Sequence, residues 1–138
     1  MKSILFGGML LLAAAALTTS SCKKDGDPGT LPSITFKTGG SYISTSTTTT
    51  TNTAVQLGID AAKTESNDPL TLFSITRSYD NGSATQVYSE NLSGASGDSY
   101  TKDFPVTTRG TAGTEKYTFT IANRDGLTNS VSLTLTVQ

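Results

Sequence analysis

Residues 115–137 read EKYTFTIANRDGLTNSVSLTLTV. Tyr117, Phe119 and Ile121 alternate with Thr118 and Thr120, and Val131, Leu133, Leu135 and Val137 alternate with Ser132, Thr134 and Thr136. Successive side chains of a strand point to opposite faces, so each run has one apolar face and one hydroxyl face. That is the signature of half-buried antiparallel strands. Asp125-Gly126 between the runs is a turn signal. The pattern also fixes the register, because directly opposed residues of a hairpin share a face. A two-residue turn at Asp125-Gly126 would set Phe119 against Ser132 and mix the faces. A three-residue loop, 124–126, sets Phe119 against Val131 and Tyr117 against Leu133. Such a loop is a type I turn closed by a left-handed residue, which assigns the positive φ to Gly126.

The same texture extends upstream. Short alternating runs separated by Gly, Asn, Asp and Ser clusters predict further strands at 33–37, 53–61, 70–79, 85–91 and 99–107. With 115–123 and 129–137 the total is seven. Asp80-Asn81-Gly82 is a turn, and residues 93–98, SGASGD, are a loop. Pro105 marks its strand as an edge or a bulge, since proline cannot donate to a ladder. The last strand is a second candidate edge, open to pairing with another chain if nothing covers it. The threonine tract STSTTTTTNT, 44–53, lies between two predicted strands rather than beside an N-terminal anchor. It reads as a loop and strand margin that tolerates a β-branched residue, not as a glycosylated stalk. No segment keeps a 3.6-residue period. Seven short strands in about 105 residues predict an all-β, antiparallel immunoglobulin-like sandwich over residues 31–138.

The N-terminus has a different character. Lys2 precedes an uncharged run from Ile4 to Leu17 with Leu10-Leu11-Leu12 and four alanines at its centre. The run is short for a membrane span and fits the apolar region of a signal peptide, residues 1–21. The chain's single cysteine, Cys22, follows directly. Residues 23–29, KKDGDPG, have linker composition, so residues 22–30 read as a flexible tether. A lone cysteine forms no disulfide within the chain, and an idle thiol is a hazard in an exported protein.

Leu17-Thr18-Thr19-Ser20-Ser21-Cys22 resembles the lipobox of Bacteroidota-type bacterial lipoproteins, with Thr19 where that motif usually has Leu. The resemblance implies cleavage before Cys22 and its acylation by palmitate-type chains. It implies a lipid anchor in the bacterial outer membrane, facing the periplasm or the cell surface. Several acyl chains hold a stable anchor where one is marginal. Residues 113–138 resemble the last two strands of bacterial Ig-like and PKD-like domains. That resemblance implies a tyrosine-corner position at Tyr117, although the disulfide pair and buried tryptophan of antibody domains are missing.

Chemistry is sparse. The sequence has no histidine, which excludes the usual catalytic triads and most transition-metal sites. Asp60, Glu65, Asp68, Glu90, Asp98 and Asp103 are scattered, and no two stand out as a glycosidase pair. Lys37, Lys63, Lys102 and Lys116 read as solvated charges. The acidic turns at 25–27 and 123–126 do not fit a calcium loop. A net charge of −1 without a basic cluster gives no nucleic-acid surface. No catalytic, metal or cofactor residue is assigned. The candidate ligand contacts are Tyr42, Tyr79, Tyr88 and Tyr100, which stack on sugars if exposed and otherwise join the core. The sequence thus predicts a lipid-anchored module that binds an unnamed protein or serves as a spacer. A glycan-capturing lipoprotein is the alternative, and a hydrolase with paired carboxylates a distant third.

Overall fold

The computed structural model describes residues 29–138. Its elements are β1 (Ser33–Phe36), β2 (Thr47–Thr49), β3 (Ala54–Ala62), β4 (Leu70–Tyr79), β5 (Thr85–Asn91), the single helical turn α1 (Ala95–Asp98), β6 (Ser99–Thr107), β7 (Gly113–Asn123) and β8 (Thr128–Val137). They form a three-stranded sheet in the order β1-β3-β6 and a five-stranded sheet in the order β2-β8-β7-β4-β5. All pairings between strands are antiparallel except β2 with β8. The sheets face each other across a core built from Leu57, Ile59, Phe73, Ile75, Phe119, Ile121, Leu133 and Leu135. This is an all-β, two-sheet sandwich, the architecture the alternating pattern predicts.

The terminal hairpin has the register its pattern demands. Phe119 lies opposite Val131, and Tyr117 opposite Leu133. Gly126 has φ 82°, and its N–H donates to the Asn123 carbonyl at 3.1 Å. The turn is also held from outside. The Asn123 side chain donates to Asp68, whose other oxygen accepts from the Asp125 N–H at 3.1 Å, while Asn123 Oδ1 accepts from the Leu127 N–H at 2.7 Å. Asp68 and Asn123 are buried, and each has its partners, as buried polar groups require.

The described residues hold eight strands where the pattern predicts seven. The extra one, β2, lies inside the threonine tract. Three threonines run parallel to Leu135, Thr136 and Val137 as the chain crosses from one sheet to the other. Uniform hydroxyl side chains carry no alternation, so periodicity cannot find such a strand. Residues 93–98, read as a loop, contain the turn α1.

β6 is indeed an edge strand, with Pro105 opposite Gln56 of its single neighbour β3. The last strand is less open than expected. β2 covers its end, Ser46 Oγ accepts the Thr134 N–H at 2.9 Å, and Asn129 Oδ1 accepts the Ser130 N–H at 2.9 Å.

Tyr117 is fully buried, but it does not make a tyrosine corner. Its hydroxyl donates to Glu115 Oε2 at 2.8 Å rather than to backbone. The other Glu115 oxygen accepts the Arg109 N–H at 2.6 Å, so this buried carboxylate is satisfied on both sides. Burial, together with the Glu115 bond, drives the Tyr117 hydroxyl far above its ordinary titration range.

The N-terminal end of the described chain docks on the loop after β3. The Thr30 N–H donates to Glu65 Oε1 at 2.8 Å, and the Thr64 hydroxyl donates to the Leu31 carbonyl at 3.0 Å. Residues 1–21, expected to be a signal peptide, and Cys22 lie outside the described residues.

Candidate binding face

The four candidate tyrosines occupy three places. Tyr88 of β5 and Tyr100 of β6 meet where the two sheets come together at their edges. Tyr88 lies opposite Ile75, and Glu90 opposite Phe73, so both point inward. Both tyrosine hydroxyls donate to Glu90 Oε2, that of Tyr100 at 2.6 Å. Lys102 of β6 donates to the Tyr88 hydroxyl at 2.5 Å and lies 3.6 Å from the same carboxylate oxygen. Lys102 is therefore part of a seam between the sheets, not the solvated charge its sequence context suggests. The bonds from Tyr100 and then Tyr88 hold the Glu90 carboxyl below its ordinary pKa. Burial, with the Glu90 bond second, pushes the Tyr100 hydroxyl far up. The Tyr100 ring packs 5.1 Å from Phe73, centroid to centroid. These two tyrosines close the core and present no free ring.

Tyr79 ends β4 at the opposite end of the sandwich from Thr30. It is exposed, but the Arg77 and Arg109 guanidiniums lie 4.7 and 5.3 Å from its ring centroid. Arg109 also grips Asp80 with two bonds, at 2.6 and 2.7 Å. Two guanidiniums, Asp80 and the buried Glu115 balance one another in charge, and this end reads as a structural clasp.

Tyr42 stands apart, on the outer face of the three-stranded sheet. Gly58 lies mid-strand in β3 with its outward position occupied by the tyrosine. A Cβ there would sit 2.8 Å from Tyr42 Cε1 and 3.0 Å from Lys37 Cδ. Glycine in a strand interior marks such a close approach. The Tyr42 hydroxyl donates to Asp103 Oδ1 at 2.8 Å, and Lys37 Nζ reaches the same oxygen at 2.5 Å. These bonds raise the Lys37 and Tyr42 pKa values and lower that of Asp103. The result is a fixed rim across all three strands.

Below that rim the face is hollow. A groove of about 380 Å³ is lined by Ser33, Thr35, Asp60, Ala61, Ala62, Ser99, Tyr100 and Thr101. Pairing registers its floor in rows: Ser33, Ala62 and Ser99, then Thr35, Asp60 and Thr101. Asp60 Oδ1 accepts the Thr101 hydroxyl at 2.8 Å. The hydroxyls of Ser33, Thr35 and Ser99 have no protein partner among the described residues, so they are left to solvent or ligand.

No protein-family model matches this chain, and no curated protein matches it. Among solved structures it is similar to the superoxide reductase (neelaredoxin) from Ignicoccus hospitalis. The identity is 7%, over 79% of this chain and 81% of that one, with a TM-score of 0.49.

Among the described residues, no three His, Cys, Asp or Glu side chains gather to hold a metal. The outer face of the five-stranded sheet is also hydroxyl-rich, with Ser74, Thr120 and Ser130 in one row and Thr76, Thr118 and Ser132 in the next. Of the residues at the groove, sequence reasoning named only Tyr42 and Tyr100 as ligand contacts. Gly58 was the available signal for the rest, because a glycine inside a strand pattern needs a reason.

Proposed function

We propose that the chain is a lipid-tethered module of the bacterial cell envelope that acts by binding, without catalysis of its own. Cys22 is the acylated residue, the outer membrane is the site, and the outer face of the three-stranded sheet is the contact surface. The observation that carries the surface assignment is the Lys37–Tyr42–Asp103 rim seated over Gly58 beside the groove. A spacer has no need for a preorganised cluster on an otherwise solvated sheet face. The seven peptide steps from Cys22 to Gly29 span at most about 25 Å, so the module would sit close to the bilayer.

Two measurements test this reading. A Cys22→Ala chain is expected to leave the membrane fraction, and the mature protein is expected to begin at an acylated Cys22. A photo-crosslinking residue at Thr35 in the anchored protein is expected to give a discrete adduct in cells, and the same residue at Thr118 to give none. Silence at both positions would make the protein a spacer. An adduct at Thr118 alone would move the contact to the other sheet.

A further inference from the structure

We infer that the groove on the outer face of β1, β3 and β6 is a binding site for a neutral glycan, with Asp60 as its central acceptor and Tyr42 as an aromatic platform beside it. This rests on the reading of that face as the contact surface and names its ligand class. At about 380 Å³ the groove falls within the range of small-ligand sites. Its polar groups suit a polyol. Asp60 spends one oxygen on Thr101 and leaves the other without a protein partner among the described residues, free to accept from a sugar hydroxyl. Ser33, Thr35 and Ser99 offer hydroxyls that donate or accept as the ligand requires. They flank Asp60 from both neighbouring strands and from the adjacent row.

The charge pattern decides against an acidic glycan. Asp60 is the single formal charge in the lining, and it is negative. The cations that flank it, Lys37 and Lys63, are already paired with Asp103 and Asp98. An incoming carboxylate or sulfate would meet a carboxylate and no free cation.

Tyr42 supplies the remaining element of sugar recognition, an aromatic surface beside the polar groups. The row holding Gly58 lies two residues along β3 from Asp60, about 7 Å away. The ring over Gly58 therefore lies one row beyond the groove's lining, within reach of a further sugar unit of a bound chain. Its orientation is fixed through Asp103, so little ordering cost falls on binding.

The test is affinity electrophoresis of the full chain in detergent, in native gels containing a soluble β-glucan, a galactomannan, glycogen or, as the acidic comparison, polygalacturonate. At least one neutral polysaccharide is expected to retard the protein, and polygalacturonate is not. Asp60→Ala should weaken the retarding interaction about tenfold or more, as loss of a charge-assisted hydrogen bond does. Ala62→Trp, which fills the groove, should abolish it. Both positions face solvent, and an unchanged melting temperature verifies each fold. The proposal is overturned if no neutral polysaccharide retards the chain, if polygalacturonate does so, or if both variants bind like the parent. Failure here with a Thr35 adduct to a protein in cells would leave the binding face standing and remove the glycan.

Discussion

Replacing Tyr117 with Phe removes one oxygen from the centre of the sandwich. The Tyr117 hydroxyl donates to Glu115 Oε2 at 2.8 Å, and both residues are fully buried. The variant keeps the ring and its packing, so the perturbation is the lost bond and the carboxylate oxygen left without a donor. Glu115 retains the Arg109 N–H on its other oxygen, so it is not stripped bare. A hydrogen bond to a charged group contributes about 1.5–3 kcal/mol, which sets the expected loss near 2 kcal/mol. For a domain of this size each kcal/mol moves the melting temperature by about 4 °C, so Tyr117→Phe should melt about 8 °C lower. Urea unfolding followed by circular dichroism should show a lower midpoint with an unchanged slope, the mark of altered stability rather than altered compactness. Glu115→Gln and the double variant complete a cycle. The two single losses should sum to more than the double loss by about 1 kcal/mol or more, since the residues act as a pair. A Tyr117→Phe loss below about 0.5 kcal/mol, or strict additivity, would refute the Tyr117–Glu115 bond as a main support of the core.

Gly126→Ala tests the hairpin turn. Nothing lies within 4 Å of a Cβ at Gly126, so its φ of 82° is the sole source of cost. A loss of about 1 kcal/mol is expected, smaller for Gly126→Asn, and equal stability of the Ala variant in urea would contradict the assigned conformation. Acid stability tests the seam. Glu90, Asp80 and Asp103 all have carboxyls held below their ordinary pKa, through Tyr100 and Tyr88, through Arg109, and through Lys37 and Tyr42 respectively. Folded-state values below the unfolded ones mean that this stabilisation is present above the unfolded carboxylate pKa, about 4, and is lost as pH falls through the folded values. The urea midpoint should therefore fall below about pH 4, and Glu90→Gln should flatten part of that decline. Parallel curves for the two proteins would sink the assignment.

The fold was legible wherever side-chain chemistry alternates. β7 and β8 announce themselves because Phe, Ile, Leu and Val interleave with Thr and Ser, and their register follows from a single consistent face. β2 escaped because its three threonines look alike on both sides. The Tyr117 partner escaped for another reason. Glu115 shares the inward face of its own strand two residues earlier, and sequence alone gives a carboxylate at a strand start no cause to be buried. Lys102 and Glu90 were misleading in the same way, since charges at inward positions contradict the pattern that identifies their strands. The groove is the least legible feature. Its residues come from β1, β3 and β6, are small or polar, and become a site only when the sheet sets Thr35, Asp60 and Thr101 side by side.

Those inward charges answer a problem common to open sandwiches. β5 and β6 each have one neighbour, and an unpaired edge invites another chain to add a strand. Inward-pointing charges, proline and covering segments are the known defences. β5 carries Glu90 inward, and β6 carries Lys102 inward and Pro105 within its length. A chain adding to either edge would extend a seam whose closing contacts are a carboxylate, an ammonium and two phenols already bonded to one another. On the other side β2 covers the end of β8, and Ser46 and Asn129 cap two of its amides. Such defences matter most for a module concentrated on a membrane surface, as proposed for this chain, where neighbouring copies meet constantly. With the β5 and β6 edges defended against strand addition, recognition falls to side chains on the sheet faces, and the face over β1, β3 and β6 carries both a groove and a fixed aromatic rim.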